Sequence, residues 1–324
     1  MKIREPEYYS KFKCVADRCT DTCCRYCQIE LDEDAFKTVN KFKNNSDFAD
    51  VKIKGKKSDS VILPCKNGNC PFLEGTLLCG LYKKVGHDNL PRTCRLYPRF
   101  FNTFGGYEER GLSFSCPTAA ALIFKSKPEF NEILNDEPIT SFTNGDAERF
   151  SAIIDSRNYI IDYVYSSNRA LNELVAEIID YANRVDKALR AERFADAAKE
   201  RISYEKPTFV YTERVFNKTV ALHLHNRILR SSWKDTLKAI SYDVNSENTD
   251  CFKIWFCYFV YRYLIRSASD LNFTAVIKAA ILSYYLISRL GEDQKLSMQL
   301  YSKETEHNQE NVDRLFRFAE KIKF

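Results

Sequence analysis

From Leu171 onward the chain repeats apolar residues at helical spacing. Leu171, Leu174, Val175, Ile178, Ile179, Ala182 and Val185 fall at i, i+3, i+4 and i+7 and line one face of a predicted helix. Asn168 stands where a cap would precede it. Further helices are predicted over 213–231, 250–265, 273–290 and 304–321, with no internal repeat and no low-complexity tract. Upstream the pattern changes. Residues 51–63 alternate apolar and polar positions around a Gly/Lys turn and predict a small hairpin; 99–115 predict a second, turning near Gly105-Gly106. Between them Pro91 opens a short helix over 91–97 that Pro98 ends. Asp32, followed by Glu33 and Asp34, marks a helix start with Phe36 and Val39 on its inner face. Pro117 opens another helix over 118–124.

Eight of ten glycines fall at or before Gly111, so the first part is turn-rich. Residues 128–145, with Pro138, Thr143, Asn144 and Gly145, read as a linker. The expected fold is mainly α: an N-terminal cysteine-rich, irregular metal-binding region with small β-hairpins (1–127), a linker (128–148) and a C-terminal helical bundle (149–324).

Cysteine placement changes the picture most. Ten of twelve cysteines lie between Cys14 and Cys116, while Cys251 and Cys257 sit in an aromatic helical stretch and read as ordinary buried thiols. A disulfide framework needs an oxidising compartment. No signal peptide is visible at the N-terminus, and no run approaches the ~18 apolar residues of a membrane span. A reduced, metal-binding, cytoplasmic protein with no membrane partner is therefore expected. Composition is that of a globular chain, 44% apolar and 29% charged. Residues 1–125 carry 21 Lys+Arg against 15 Asp+Glu, leaving 28 against 29 for the rest. Six scattered extra cations without an accompanying motif argue against nucleic acid and suit the offsetting of an anionic cluster.

The spacing is Cys14-x4-Cys19-x3-Cys23-Cys24-x2-Cys27, then Cys65-x4-Cys70-x8-Cys79-x14-Cys94-x21-Cys116. Zinc takes four thiolates and so does a 4Fe–4S cluster, so ten allow one site with spare thiols or two sites. Cys23 and Cys24 point opposite ways in an extended backbone and share a metal only across a sharp turn. Cys116, just before a helix N-terminus, is favoured as a thiolate. Radical use of S-adenosylmethionine goes with Cys-x3-Cys-x2-Cys, but residue 26 is Tyr26 and the cysteine arrives at Cys27. No Gly-x-Gly occurs, so a glycine-rich nucleotide turn is absent. His223 and His225 are about 200° apart on a helix and read as structural; His87 lies among the cysteines.

Pro6-Glu7-Tyr8-Tyr9, Phe12-Lys13-Cys14, Cys19-Thr20-Asp21-Thr22-Cys23-Cys24, Cys70-Pro71-Phe72-Leu73, Leu78-Cys79, Leu90-Pro91-Arg92-Thr93-Cys94-Arg95-Leu96-Tyr97-Pro98-Arg99 and residues 113–117 together resemble the flagellin lysine-N-methylase (FliB) family. A shorter version of the pattern is similar to small cysteine-rich iron- or zinc-chelating domains. Members of the methylase family commonly have Gly-Trp where this chain has Tyr26-Cys27. The match covers residues 6–117; beyond it Arg157, Tyr159 and 258–263 agree loosely. The resemblance implies an S-adenosylmethionine-dependent methyltransferase with a 4Fe–4S cluster, acting on lysines of flagellin. It offers Cys14, Cys19, Cys23, Cys24, Cys70, Cys79, Cys94 and Cys116 as metal ligands. Tyr97 and Asp21, with Tyr82, stand beside these ligands as groups to orient the amine. Arg92, Arg95 and Arg99 are candidates to hold the carboxylate of S-adenosylmethionine. The alternatives are a non-catalytic iron- or zinc-binding protein whose helical half recruits a partner, and another cluster-dependent enzyme.

Overall fold

The computed structural model describes residues 2–43, 48, 51–56, 59–134, 144–203, 211–242, 247–270 and 272–323. Its first half runs β1 (Lys2–Pro6), β2 (Ile29–Leu31), α1 (Glu33–Asn40), β3 (Ile53–Lys54), β4 (Ser60–Ile62), α2 (Gly80–Val85), α3 (Arg92–Leu96), β5 (Arg99–Phe104), β6 (Tyr107–Leu112), α4 (Pro117–Lys125) and β7 (Phe130–Leu134). Then follow α5 (Asn144–Ser166), α6 (Leu171–Arg190), α7 (Phe194–Lys199), α8 (Glu213–Leu224), α9 (Ser231–Ala239), α10 (Thr249–Tyr263), α11 (Ser267–Asp270), α12 (Phe273–Ile287), α13 (Gln294–Thr305) and α14 (Gln309–Lys321). The chain is mainly helical, and among the described residues its strands are confined to the first half.

Both predicted hairpins form. β3 and β4 pair antiparallel, and β2 adds to β4 to give a three-stranded sheet; the turn residues 57 and 58 lie outside the described residues. β5 and β6 pair from Arg99↔Leu112 to Phe104↔Tyr107. A longer-range arrangement surrounds them, in the order β5-β6-β1-β7. β1 runs parallel to β6 with Ile3 opposite Glu108, and antiparallel to β7 with Ile3 opposite Ile133. β7 comes from the segment read as a linker, of which Pro138 and Thr143 lie outside the described residues. Lys2 pairs with Glu132 at 2.9 Å and Arg4 lies 4.2 Å from the Phe130 ring centroid, which helps fix the β7 register.

The apolar interior divides in two. A small core of Ile29, Leu31, Ala35, Val39, Val51, Ile62, Phe72, Leu81 and Leu90 lies under the three-stranded sheet, with Cys27, Cys70 and Cys79 packed against it. The large core joins Tyr8, Phe12, Leu112, Phe114, Ala119 and Ile123 of the first half to the helices. α12 is apolar nearly all round and buried accordingly. Each such Leu or Ile contributes about 1.5–3 kcal/mol. Across this core Arg157 of α5 grips Glu109 of β6 with both guanidinium nitrogens, Nη1 to Oε2 at 2.7 Å, both side chains fully buried.

Helix ends depart from expectation where polar side chains intervene. The helix predicted over 213–231 breaks after Leu224. There Asn311 Oδ1 accepts from Arg227 N at 3.0 Å and Glu304 Oε2 from Leu229 N at 2.9 Å, replacing carbonyls one turn back. The helix predicted over 304–321 is two: α13 starts at an Asp293 cap, and α14 at an Asn308 cap. α6 is preceded by Ala170, whose side chain offers no cap bond, rather than capped by Asn168. Asp32 caps α1 as expected; Val39 is buried and Phe36 half-buried.

Candidate metal centre

Short backbone ties draw the thiols together from four segments. Cys70 N donates to Cys24 O at 2.8 Å, and Tyr26 N to Gly68 O at 2.6 Å, binding the first loop to the 65–70 turn. Gly68 has φ +82°, and a Cβ there would lie 2.4 Å from the Tyr26 ring; only glycine lets the two loops close this tightly. An isolated bridge between Leu73 and Cys79 brings Cys79 back beside Cys70. Cys79 caps α2, its sulfur 3.5 Å from Tyr82 N. Asp32 joins the cysteine helix to this group: Oδ1 caps α1 through Ala35 N at 2.9 Å, and Oδ2 accepts from Arg92 N of α3 at 3.0 Å. Cys116 stands at the N-cap position of α4, without a side-chain cap bond, and is buried.

All twelve cysteines are free thiols. Desolvation of its sulfur, then the charges of Cys70, Cys24, Cys79 and Cys27, hold Cys94 well above its ordinary value. Burial pushes Cys70 up to about 12, with Cys24, Cys79 and Cys65 adding to the effect. Cys116 is raised to about 11, chiefly by burial, and its thiol neighbours are Cys19 and Cys14. By mutual charge the thiols fall into two sets, Cys70 and Cys94 each feeling Cys24 and Cys79, and Cys116 feeling Cys19 and Cys14. Cys23 stands between them, influenced by Cys24, Cys94 and Cys116. Residues 23 and 24 lie in a turn and not in an extended run. The influence of the two thiols on one another, with Thr22 and Lys303 beyond it, lowers Cys24 to about 7 and raises Cys23. Among the described residues no three Cys, His, Asp or Glu side chains are drawn in to the spacing a single ion requires. The donor set is soft, unpaired and abundant, which suits iron–sulfur or zinc by chemistry.

The remaining candidates are placed as follows. Asp21 meets the helical half on both oxygens: Oδ1 with Lys303 Nζ at 2.6 Å, Oδ2 with Gln299 Nε2 at 2.8 Å, and Arg230 at 3.5 Å. Burial opposes its charge, yet the Lys303 hydrogen bond and charge, then Gln299 and Arg230, hold it below the usual carboxylate range. Tyr97 reaches Ser115 Oγ at 3.2 Å; burial and then Cys116 raise its hydroxyl well above the ordinary value. Behind it runs a chain of polar groups, Ser115 to Ser113 at 2.9 Å and Ser113 to Arg262 at 2.9 Å, with Arg262 on Glu306 at 2.9 Å. Tyr82 is half exposed. Arg92 is exposed on α3, Arg95 donates to Asp88 O at 3.1 Å, and Arg99 lies over the rings of Phe12 and Tyr9 at 5.1 and 5.6 Å. These three make separate contacts and share no partner in them. His87 is exposed beside Asp88, whereas His223 is buried between Thr219 O and Tyr301 OH. A small apolar cleft of about 30 Å³ between β1, β7, α5 and α10 is lined by Cys257 but by none of the ten N-terminal cysteines.

Sequence reasoning missed Lys303, Gln299, Arg230 and Glu304. Lys303 and Glu304 are only 3% and 1% exposed, and apolar periodicity carries no signal for a polar helix face turned inward. No helix among the described residues is long and apolar enough to cross a membrane.

No family model matches the chain, and no solved structure does. Curated proteins do. The lysine-N-methylase of Salmonella choleraesuis (strain SC-B67) is 29% identical over 199 residues, 57% of this chain and 48% of that protein. The lysine-N-methylase of Salmonella typhimurium (strain LT2) is 28% identical over the same length and shares. The chain thus spans about half the length of these two relatives. The flagellar biosynthetic protein FliU of Salmonella muenchen is 32% identical over 131 residues, 37% of this chain and 76% of its own length. Identity near a third across three quarters of FliU, beside the similarity to both methylases, is kinship, and the chain belongs to the flagellin lysine-N-methylase (FliB) family.

Proposed function

We propose that the protein is a protein-lysine N-methyltransferase, that S-adenosylmethionine is its methyl donor, and that its N-terminal thiolates hold a 4Fe–4S cluster. Similarity to proteins named lysine-N-methylase carries this reading. The name of FliU, a flagellar biosynthetic protein, supports flagellin as the substrate. Cys24, Cys70, Cys79 and Cys94 are the four thiols that would hold the cluster, since each of Cys70 and Cys94 lies within electrostatic reach of Cys24 and Cys79. Such a group supplies a delocalised, redox-active anionic centre. S-adenosylmethionine supplies an electrophilic methyl carbon on a sulfonium.

The rest falls to this chain's own side chains. A lysine ammonium, with a pKa of about 10.4, must lose its proton before its nitrogen can attack. Tyr97, buried against the thiols, would hold that amine in line by its hydroxyl, and Arg92 and Arg95 would fork a carboxylate beside Cys94. Asp21 is engaged on both oxygens and would anchor its loop. Unpaired thiols of this kind persist in a reducing compartment, which supports the cytoplasm as the place of action.

Protein purified without oxygen is expected to be brown and to transfer labelled methyl from S-adenosylmethionine to flagellin. Cys79→Ser or Cys94→Ser should bleach the colour, whereas Cys251→Ser and Cys257→Ser should leave it. Coloured protein that neither binds S-adenosylmethionine nor methylates flagellin would end the methyltransferase reading and leave the metal reading standing.

A further inference from the structure

Lys303 is a lysine almost wholly removed from water, yet it belongs to α13, nearly 280 residues beyond the cysteine loop it faces. Its Nζ donates to Asp21 Oδ1 at 2.6 Å and to Thr22 O at 3.3 Å, and that carbonyl belongs to the peptide bond leading into Cys23. Thr22 in turn accepts from Cys24 N through Oγ1 at 3.2 Å. Arg230, the other cation here, is held by Glu304 at 2.9 Å and lies 3.5 Å from Asp21. The Lys303–Asp21 pair therefore stands against the backbone that leads into Cys23-Cys24, with the Arg230–Glu304 pair beside it. Burying such a pair costs several kcal/mol of desolvation that the attraction only partly offsets, so simple stability is a weak reason for its presence.

Resting on the reading that these thiolates hold a 4Fe–4S cluster, we infer that Lys303 and Asp21 are positioning residues that set the cluster's reduction potential from the helical half. One electron, given by dithionite in a titration, takes a four-thiolate cluster from an overall charge of −2 to −3; no bond is made or broken. A buried cation favours the more negative state and the half-buried carboxylate of Asp21 opposes it, in a surrounding where charge is less screened than in water. The two residues therefore act with opposite sign.

The experiment is a dithionite titration of the iron-loaded full chain, followed by visible absorption and electron paramagnetic resonance, for wild type, Lys303→Met, Lys303→Arg and Asp21→Asn. Lys303→Met should shift the midpoint negative and Asp21→Asn positive. Each shift should correspond to about a tenfold change in the reduction equilibrium, 59 mV for one electron. Lys303→Arg should stay near wild type. A purely structural pair predicts instead that Lys303→Met and Asp21→Asn both lose iron, or shift alike, and either result overturns the inference. If Lys303→Met fails to fold, Asp21→Asn decides alone: a zero or negative shift overturns the proposal. Wild type that binds no iron refutes the cluster reading and this inference with it, whereas iron-bound wild type with same-signed or null shifts refutes the inference only.

Discussion

His223 and His307 are held neutral at a cost that depends on pH. Burial lowers both to about 4, below their ordinary 6.5. In the unfolded chain they take up protons near pH 6.5, and in the folded chain only near pH 4. Stability is thus fully present above about 6.5 and falls between there and about 4, by up to roughly 1.4 kcal/mol per pH unit for each histidine. Urea midpoints measured from pH 7.5 to 4.5 should show this slope, and His223→Gln should flatten it. An unchanged slope in that variant would show that His223 does not carry the effect. The buried pair Arg157–Glu109 makes a second prediction. Glu109→Ala leaves a guanidinium uncompensated inside the large core and should cost about 3–5 kcal/mol in urea unfolding. A loss under 1 kcal/mol would contradict the burial of that pair.

Elements built on apolar rhythm were legible: α6, α10 and α12 fall where periodicity puts them, and Gly105-Gly106 marks the β5–β6 turn. α13 was not legible in full, because its buried face carries Ser297, Gln299, Ser302, Lys303, Glu304 and Thr305. Such a face is satisfied by partners distant in sequence, and spacing alone cannot name them. β7 escaped for a related reason: its pairing is with a strand more than a hundred residues earlier. The eight cysteines taken from the family pattern could be named from the sequence as candidate donors. How their loops approach one another could not, since that depends on Gly68 and the Leu73–Cys79 bridge. Where side chains end helices, removing them should be measurable. Glu304→Ala frees the Leu229 N–H and leaves Arg230 with only the longer Asp21 ion pair, and should cost about 1–3 kcal/mol. Asp32→Ala removes a cap worth about 1 kcal/mol and also loosens α3, so amide exchange should quicken in residues 92–96 as well as in α1.

Across the whole molecule, the large core is shared by the sheet of the first half and the helices of the second. A fragment of residues 1–127 would expose Tyr8, Phe12, Leu112 and Phe114 and lack β7. It is expected to show no cooperative unfolding transition, whereas the full chain shows one; a fragment that melts sharply would mark an independent domain. The same sharing gives the thiol loop its orientation, because Gln299 bridges Asp21 and Ser115 O from α13.

The placement of β1 inside its sheet carries a consequence for biosynthesis. Lys2 sits between Tyr107 on one side and Leu134 on the other. β1 leaves a ribosome ahead of both its neighbours and must stay unpaired until they emerge, roughly 7–25 s at usual elongation speeds. During that interval the cysteines from Cys14 to Cys116 emerge one after another, so chaperoning and oxidation compete for a nascent chain whose sheet is still incomplete.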